Sequence, residues 1–190
     1  MKKILISIRP KWVEKIASGE KTIEVRKSAP KEVPFKAYIY CTKGKDGYEW
    51  LYRVDNNGYG KAQSWHGKVI GEFICDKVER FTVGSLRSDD IEKLACLSYN
   101  EMISYFYKPE ELDGKTVKQG FAWHISDLKI YDKPKELSEF WGRKNCLAAD
   151  TVECWNCFAT CLEINGRNCQ PLTRPPQSYI FVEEVKNERV

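Results

Sequence analysis

Histidine, methionine and long apolar runs are what this sequence has least of. Two histidines, His66 and His124, and two methionines occur in 190 residues. Neither histidine stands with a Ser or Cys nucleophile and an acid in a recognisable motif, so each reads as an ordinary surface or core residue. No stretch approaches the roughly 20 consecutive apolar residues of a membrane-spanning helix. Residues 1–10 begin basic, but their apolar run is short. Arg9 and Pro10 end it and no small-residue cleavage site follows, so a buried first strand in a cytoplasmic protein is expected. There is no internal repeat, no low-complexity segment, and no dinucleotide-binding, Walker, nucleophile-elbow or zincin motif. Charge of one sign is not in excess either: 31 Lys and Arg against 27 Asp and Glu give +4. That balance is compatible with a polyanionic partner without demanding one.

What is present suits a soluble globular chain, with 42% hydrophobic and 31% charged residues. Aromatics reach 13%, which serves both cores and base-stacking surfaces. The length fits one domain, with a loop insertion over about 44–66 and a Cys-rich insertion over about 142–172. Three of the eight cysteines, Cys41, Cys75 and Cys96, lie in apolar contexts typical of small buried hydrophobes. The other five cluster late in the chain. Cys154 and Cys157 have zinc-knuckle spacing, Cys161 follows, and Cys146 or Cys169 could supply a fourth thiolate. Structural zinc, free thiols and disulfides all fit that cluster, with zinc slightly ahead.

In chain order, residues 3–8 read as a strand. A short helix follows, starting at Pro10, with Trp12, Val13 and Ile16 on one face and Gly19 as its stop. Strands are expected over 22–26, 37–41 and 68–75, the last with a bulge or close backbone approach at Gly71. Residues 48–54 suit one arm of a hairpin turning at Asn57-Gly58. One helix begins at Ser88. A second starts at the capping box formed by Ser98 and Glu101. Strand material returns over 119–130 and 178–182, with Pro134 and a short segment over 137–141 between them. Six or seven strands and two or three helices, without an alternating βαβ run, predict a mainly antiparallel α+β fold closing toward a small barrel.

The stretch around strand 22–26 stands out. Ile23 and Val25 alternate with Thr22, Glu24 and Arg26, and Lys21 sits beside the turn at Gly19. Taken alone, the charged set fits a solvated outer face slightly better than a functional one. Together with the preceding run Ile4-Leu5-Ile6-Ser7-Ile8-Arg9-Pro10-Lys11-Trp12, it resembles the ASCH (ASC-1 homology) domain, a relative of the PUA fold. The signature G-x-K-x-x-E-x-R is filled by Gly19, Lys21, Glu24 and Arg26. The similarity continues through residues 67–73, 121–128, 131–134 and 174–179, and covers most of the chain outside roughly 44–66 and the Cys-rich segment.

The resemblance implies a PUA-like, mostly antiparallel β-barrel with two or three flanking helices and a cleft beside the signature. It also implies an RNA or nucleotide-like ligand and no membrane. Some small family members are enzymes, an amidohydrolase of acetylated cytidine and a ribonuclease among them. In the amidohydrolase a Lys, a Thr and a Glu are credited with catalysis. Lys21 matches the Lys and Glu72 loosely matches the Glu, but Glu24 stands where the Thr is placed. That departure points away from the same hydrolysis.

The expected reading is therefore a nucleic-acid-binding protein, RNA being the expected polymer. Lys21 and Arg26 would contact phosphate and Glu24 would hold the two cations or accept from a base edge. Trp50 and Trp65 in the insertion are the candidate stacking surfaces, with Lys43, Lys45, Lys61 and Lys68 as a basic rim. An enzyme acting on a modified nucleoside or RNA is the alternative, with Lys21 as acid or base and Glu24 or Glu72 as its partner. A protein-interaction adaptor with an inert cleft is a third.

Overall fold

The computed structural model describes residues 1–43, 65–85, 88–112, 115–143 and 169–184, with only the backbone of 51–54 and 60–63 between the first two segments. The elements follow in order as β1 (Lys2–Ile8), α1 (Pro10–Ala17), β2 (Ile23–Arg26), β3 (Phe35–Cys41), β4 (Leu51–Val54), β5 (Gly60–Gln63), β6 (Lys68–Cys75) and β7 (Val78–Thr82). Then come α2 (Ser88–Leu94), α3 (Tyr99–Phe106), β8 (Gln119–His124), β9 (Ser126–Glu136), β10 (Phe140–Arg143), β11 (Cys169–Pro171) and β12 (Tyr179–Glu184). The α+β class is as expected, and no helix among the described residues is long and apolar enough to cross a membrane.

A seven-stranded sheet runs β11-β10-β12-β1-β3-β6-β9, a three-stranded sheet runs β2-β8-β7, and β4 and β5 form a hairpin. Every pairing among the described residues is antiparallel except β1 with β3. Both faces of β1 and β3 are covered, which is why they read as continuous apolar runs. Ile4, Ile6 and Ile8 pack with Val13 and Ile16 of α1 and with Phe35, Phe73 and Trp123. Leu5 and Tyr38 face the other way, onto Tyr131, Leu137 and Phe140. A third cluster joins Ile23 and Val25 of β2 to Phe81, Met102, Phe106 and Ala122, seating α2 and α3 on the smaller sheet.

The expected barrel is not closed. Among the described residues the large sheet ends at β11 and β9, and no ladder joins it to the small sheet. The chain itself passes between them at Asp76-Lys77 and at Ile125. Between β2 and the end of β1 the contact runs through a side chain instead of a ladder: Arg26 Nη2 donates to the Ser7 carbonyl at 2.8 Å, and Nη1 to the carbonyl of Ser178, just before β12, at 3.4 Å.

Two further details bear on the expectations. Gly71 lies so close to β9 that an added Cβ would sit 2.5 Å from the Lys129 carbonyl oxygen, the close approach that a glycine within a strand suggests. β9 runs on past the expected end near Ile130 and through Pro134, which an edge strand allows, and its pairing with β6 skips from Ile130 to Lys135.

Candidate functional site

The local fold explains the spacing of the charged stretch. Ser18 closes α1 by donating its backbone N–H to Glu14, and Gly19 turns the chain at φ +81°, a left-handed conformation that glycine adopts freely. The Lys21 N–H then returns to the Lys15 carbonyl at 2.9 Å, and the Thr22 N–H reaches the Leu94 carbonyl at 3.0 Å at the end of α2. The chain is thus pinned on both sides just as β2 begins.

All four residues of β2 are buried, so its charged side is internal rather than solvated. Lys21, Glu24 and Arg26 are only 3%, 7% and 5% exposed. Burying three ionisable groups is tolerable only if they satisfy one another. Lys21 Nζ lies 3.3 Å from Glu24 Oε2 and donates to the Ala95 carbonyl at 2.8 Å. Arg26 Nε is 3.0 Å from Glu24 Oε1, an ionic contact whose N–H is not aimed for a hydrogen bond. The triad therefore ties β2 to the α2–α3 turn through Lys21, and to β1 and the start of β12 through Arg26. Desolvation pushes the Lys21 pKa below its ordinary value, and the Glu24 charge opposes that shift.

The triad lies at the base of a cleft of about 700 Å³. Its walls come from the end of β1 (Ser7, Ile8), the start of α1 (Arg9, Trp12), Lys27, Thr42, α3 with its approach (Leu97, Glu101, Ser104, Tyr105) and the segment Pro175-Pro176-Gln177. Lys11 Nζ donates to Glu101 Oε1 at 2.7 Å, joining α1 to α3 beside the cleft. Glu101 also completes the capping box with Ser98, and these donors hold its carboxyl below the usual range. The Lys27 ammonium lies 5.2 Å from the Tyr105 ring centroid. Tyr105 is 40% exposed, yet desolvation raises the pKa of its hydroxyl, against the Arg26 charge and a hydrogen bond with the Lys27 backbone, which lower it. Four cations, Arg9, Lys21, Arg26 and Lys27, face two carboxylates, so the lining is cationic overall.

Of the expected site residues, the structure brings Lys21, Glu24 and Arg26 together and adds Trp12 to the same cleft. It separates others from them. Glu72 lies on β6, where Lys36 reaches it at 2.7 Å and the Tyr131 hydroxyl donates at 2.6 Å. It does not line the cleft. Desolvation would raise its pKa, but the bonds from Lys36 and Tyr131 win and lower it. Trp65 is 5% exposed and packs in the core with Ile70 and Trp123, so it is not an exposed stacking platform. Tyr40 and Trp123 are buried as well. Lys43 is exposed next to Thr42, with its stem over Gly67, but is not a wall residue. Lys68 pairs with Glu136.

Trp50, Lys45, Cys146, Cys154, Cys157 and Cys161 fall outside the described residues, and of Cys169 only the backbone at the start of β11 is described. Cys41 and Cys75 are free and buried, as expected, and burial pushes both thiols up to about 12. Cys96 is half-buried, in a turn at φ +53°. His124 contacts Glu79 at the small sheet, away from the cleft walls. Sequence reasoning missed Arg9, Thr42, Glu101, Tyr105 and Gln177 as wall residues. Each is brought in by tertiary packing: the capping box marks Glu101 as a helix start and the resemblance covers Arg9 and Gln177, but neither signal places them on the cleft wall.

No family model and no curated protein matches the chain. Among solved structures it is similar to the crystal structure of ASCH from Zymomonas mobilis, with a TM-score of 0.53 and 19% identity over 98% of this chain and 90% of that one. It is equally similar to a tyrosine-to-phenylalanine and a serine-to-alanine variant of ZmASCH from the same organism. Each has a TM-score of 0.52 and 18% identity over 98% of this chain, covering 92% and 89% of theirs. At this identity the likeness shows the fold alone: the chain adopts the ASCH fold.

Proposed function

We propose that this ASCH-fold chain binds nucleic acid, with RNA as the polymer, by holding one nucleotide unit in the cleft above Lys21, Glu24 and Arg26. The observation that carries the reading is the composition of the cleft. Its volume falls in the range of sites that enclose a small ligand, not of open grooves that track a strand. Its lining combines an excess of cations with the rings of Trp12 and Tyr105. Phosphate needs the first, and an unstacked base needs the second.

The roles differ from those a surface triad would have. Lys21 and Arg26 are already committed to Glu24 and to main-chain carbonyls, so they form a charged, prearranged floor. One Lys21 donor and the outer Arg26 donors remain for a ligand. The exposed Arg9 and Lys27 are the cations free to meet phosphate. The test is a calorimetric titration with nucleoside monophosphates and short single-stranded RNAs. Wild type is expected to bind and the Arg9→Ala/Lys27→Ala double variant to bind more weakly, with the same unfolding midpoint. No binding by wild type would end the reading.

One observation favours a second reading, a hydrolase acting on a modified nucleoside or RNA. Burial lowers the Lys21 pKa beside a carboxylate in a cleft, and such groups serve as general acids or bases. Glu24 would be the partner, since Glu72 lies elsewhere. Release of a product from acylated nucleosides or RNA by wild type, abolished in a Lys21→Met variant whose circular dichroism shows it folded and whose nucleotide binding is retained, would establish it.

A further inference from the structure

The polar groups of the cleft fall into two sets. Lys21, Glu24, Arg26 and Glu101 are engaged with the partners described above, with only spare N–H donors left on Lys21 and Arg26. Ser7 Oγ donates to the Pro176 carbonyl at 2.7 Å and Ser104 Oγ to the Glu101 carbonyl at 3.1 Å. The side chains of Arg9, Lys27, Thr42 and Gln177 make no hydrogen bond to another described residue, and the Tyr105 hydroxyl has one, with the Lys27 backbone. Arg9 and Lys27 can only donate, and Thr42 and Tyr105 carry one hydroxyl each. Gln177 alone presents a donor and an acceptor side by side in one plane, the pattern that matches a base edge.

Its backbone is also unusually well held for an exposed loop residue. The carbonyl before it, on Pro176, accepts from Ser7 Oγ. The carbonyl after it, on Ser178, accepts from Arg26 Nη1 at 3.4 Å and from the Ser7 N–H at 3.4 Å. Pro175 and Pro176 have fixed φ and no N–H, so this wall cannot pair with a ligand through those two backbone donors. The segment thus delivers one planar amide to the cleft from a backbone fixed on both sides, with two of its three anchors from Ser7 of β1 and the third from the buried Arg26.

We propose that Gln177 reads the hydrogen-bonding edge of the base held in the cleft, an inference that rests on the nucleotide reading above. A glutamine amide can turn over to match adjacent donor–acceptor pairs on adenine, cytosine and uracil. It can also match the carbonyl and N1–H of guanine. A glutamate at the same place would accept only, and guanine alone offers two adjacent N–H donors, N1–H and N2–H, on its Watson–Crick edge. Gln177→Glu therefore turns the reader toward guanine, even though the added charge weakens phosphate binding for every base.

The test compares wild type, Gln177→Glu and Gln177→Ala by calorimetric titration with the four ribonucleoside 5′-monophosphates. The readout is the ratio of affinities among bases, which a uniform electrostatic loss does not move. Gln177→Glu is expected to raise the preference for GMP over the other three by roughly tenfold, and Gln177→Ala to weaken all four alike, because the amide it removes serves every base. Binding by all three proteins with the same base ratios overturns the role of Gln177 and leaves the nucleotide site standing. No binding of any nucleotide by wild type overturns the nucleotide reading, and this inference with it.

Discussion

Replacing Glu24 with Gln separates an internal ion triad from a charged surface pattern. The substitution keeps the shape of the side chain and removes its charge. It leaves Lys21 and Arg26, each at most 5% exposed, without the carboxylate that now sits 3.3 Å and 3.0 Å from them. Removing one partner of a buried pair typically costs about 3–5 kcal/mol, against about 0–1 kcal/mol for an exposed pair. The loss should fall near the lower end, about 3 kcal/mol. Arg26 keeps the Ser7 and Ser178 carbonyls, and Lys21 keeps the Ala95 carbonyl and can shed its proton.

The pH dependence gives a second signature. The folded-state pKa of Lys21 lies below its ordinary value of 10.5, chiefly through desolvation. Between those two values the unfolded chain holds more protons, so stability rises with pH across the window. Glu24 is the main influence holding the folded value up. In Glu24→Gln the window opens at lower pH, and the deficit is largest near neutrality and shrinks toward pH 10. Urea unfolding of both proteins from pH 6 to 10 measures this. A loss below about 1 kcal/mol at pH 7, flat with pH, would refute the buried-triad account.

Tyr105→Ala should weaken RNA binding by about 1–3 kcal/mol, the range for loss of one base-stacking ring, as read by fluorescence anisotropy. Arg9→Ala/Lys27→Ala should make the slope of log K against log salt shallower by roughly 1.4, two phosphate contacts at about 0.7 each for a single strand. Gly71→Ala should destabilise the fold by about 1–3 kcal/mol in thermal unfolding, because its Cβ must displace the Lys129 carbonyl and with it the β6–β9 register.

Much of the fold was legible where local chemistry decides it. The stop at Gly19, the Ser98–Glu101 capping box, the glycine in β6 and the β4–β5 hairpin all sit where the sequence pattern predicts. What the pattern could not carry was which side of β2 is covered. Alternation puts Glu24 and Arg26 opposite Ile23 and Val25, and a strand with water on that side has the same spelling. Burial follows only once Ala95, Ser7 and Ser178 bring their carbonyls to the two cations. The same limit applies to Trp65, which a loop-like neighbourhood placed at the surface but which packs with Ile70 and Trp123. It also applies to Gln177, which reaches β2 from about 150 residues further along the chain. Because Lys21 and Arg26 hold the fold together, substituting them tests stability and binding at once, and the exposed Arg9 and Lys27 make the cleaner probes of binding.

Photo-crosslinking of a short single-stranded RNA carrying 4-thiouridine, with the adducts located by mass spectrometry, tests the central claim most directly. Binding of a nucleotide unit in the cleft predicts adducts on Trp12, Tyr105 or the 175–177 segment, lost on competition with free nucleotide. Adducts confined to the far side of the large sheet, at Lys36 or Lys129, would contradict it.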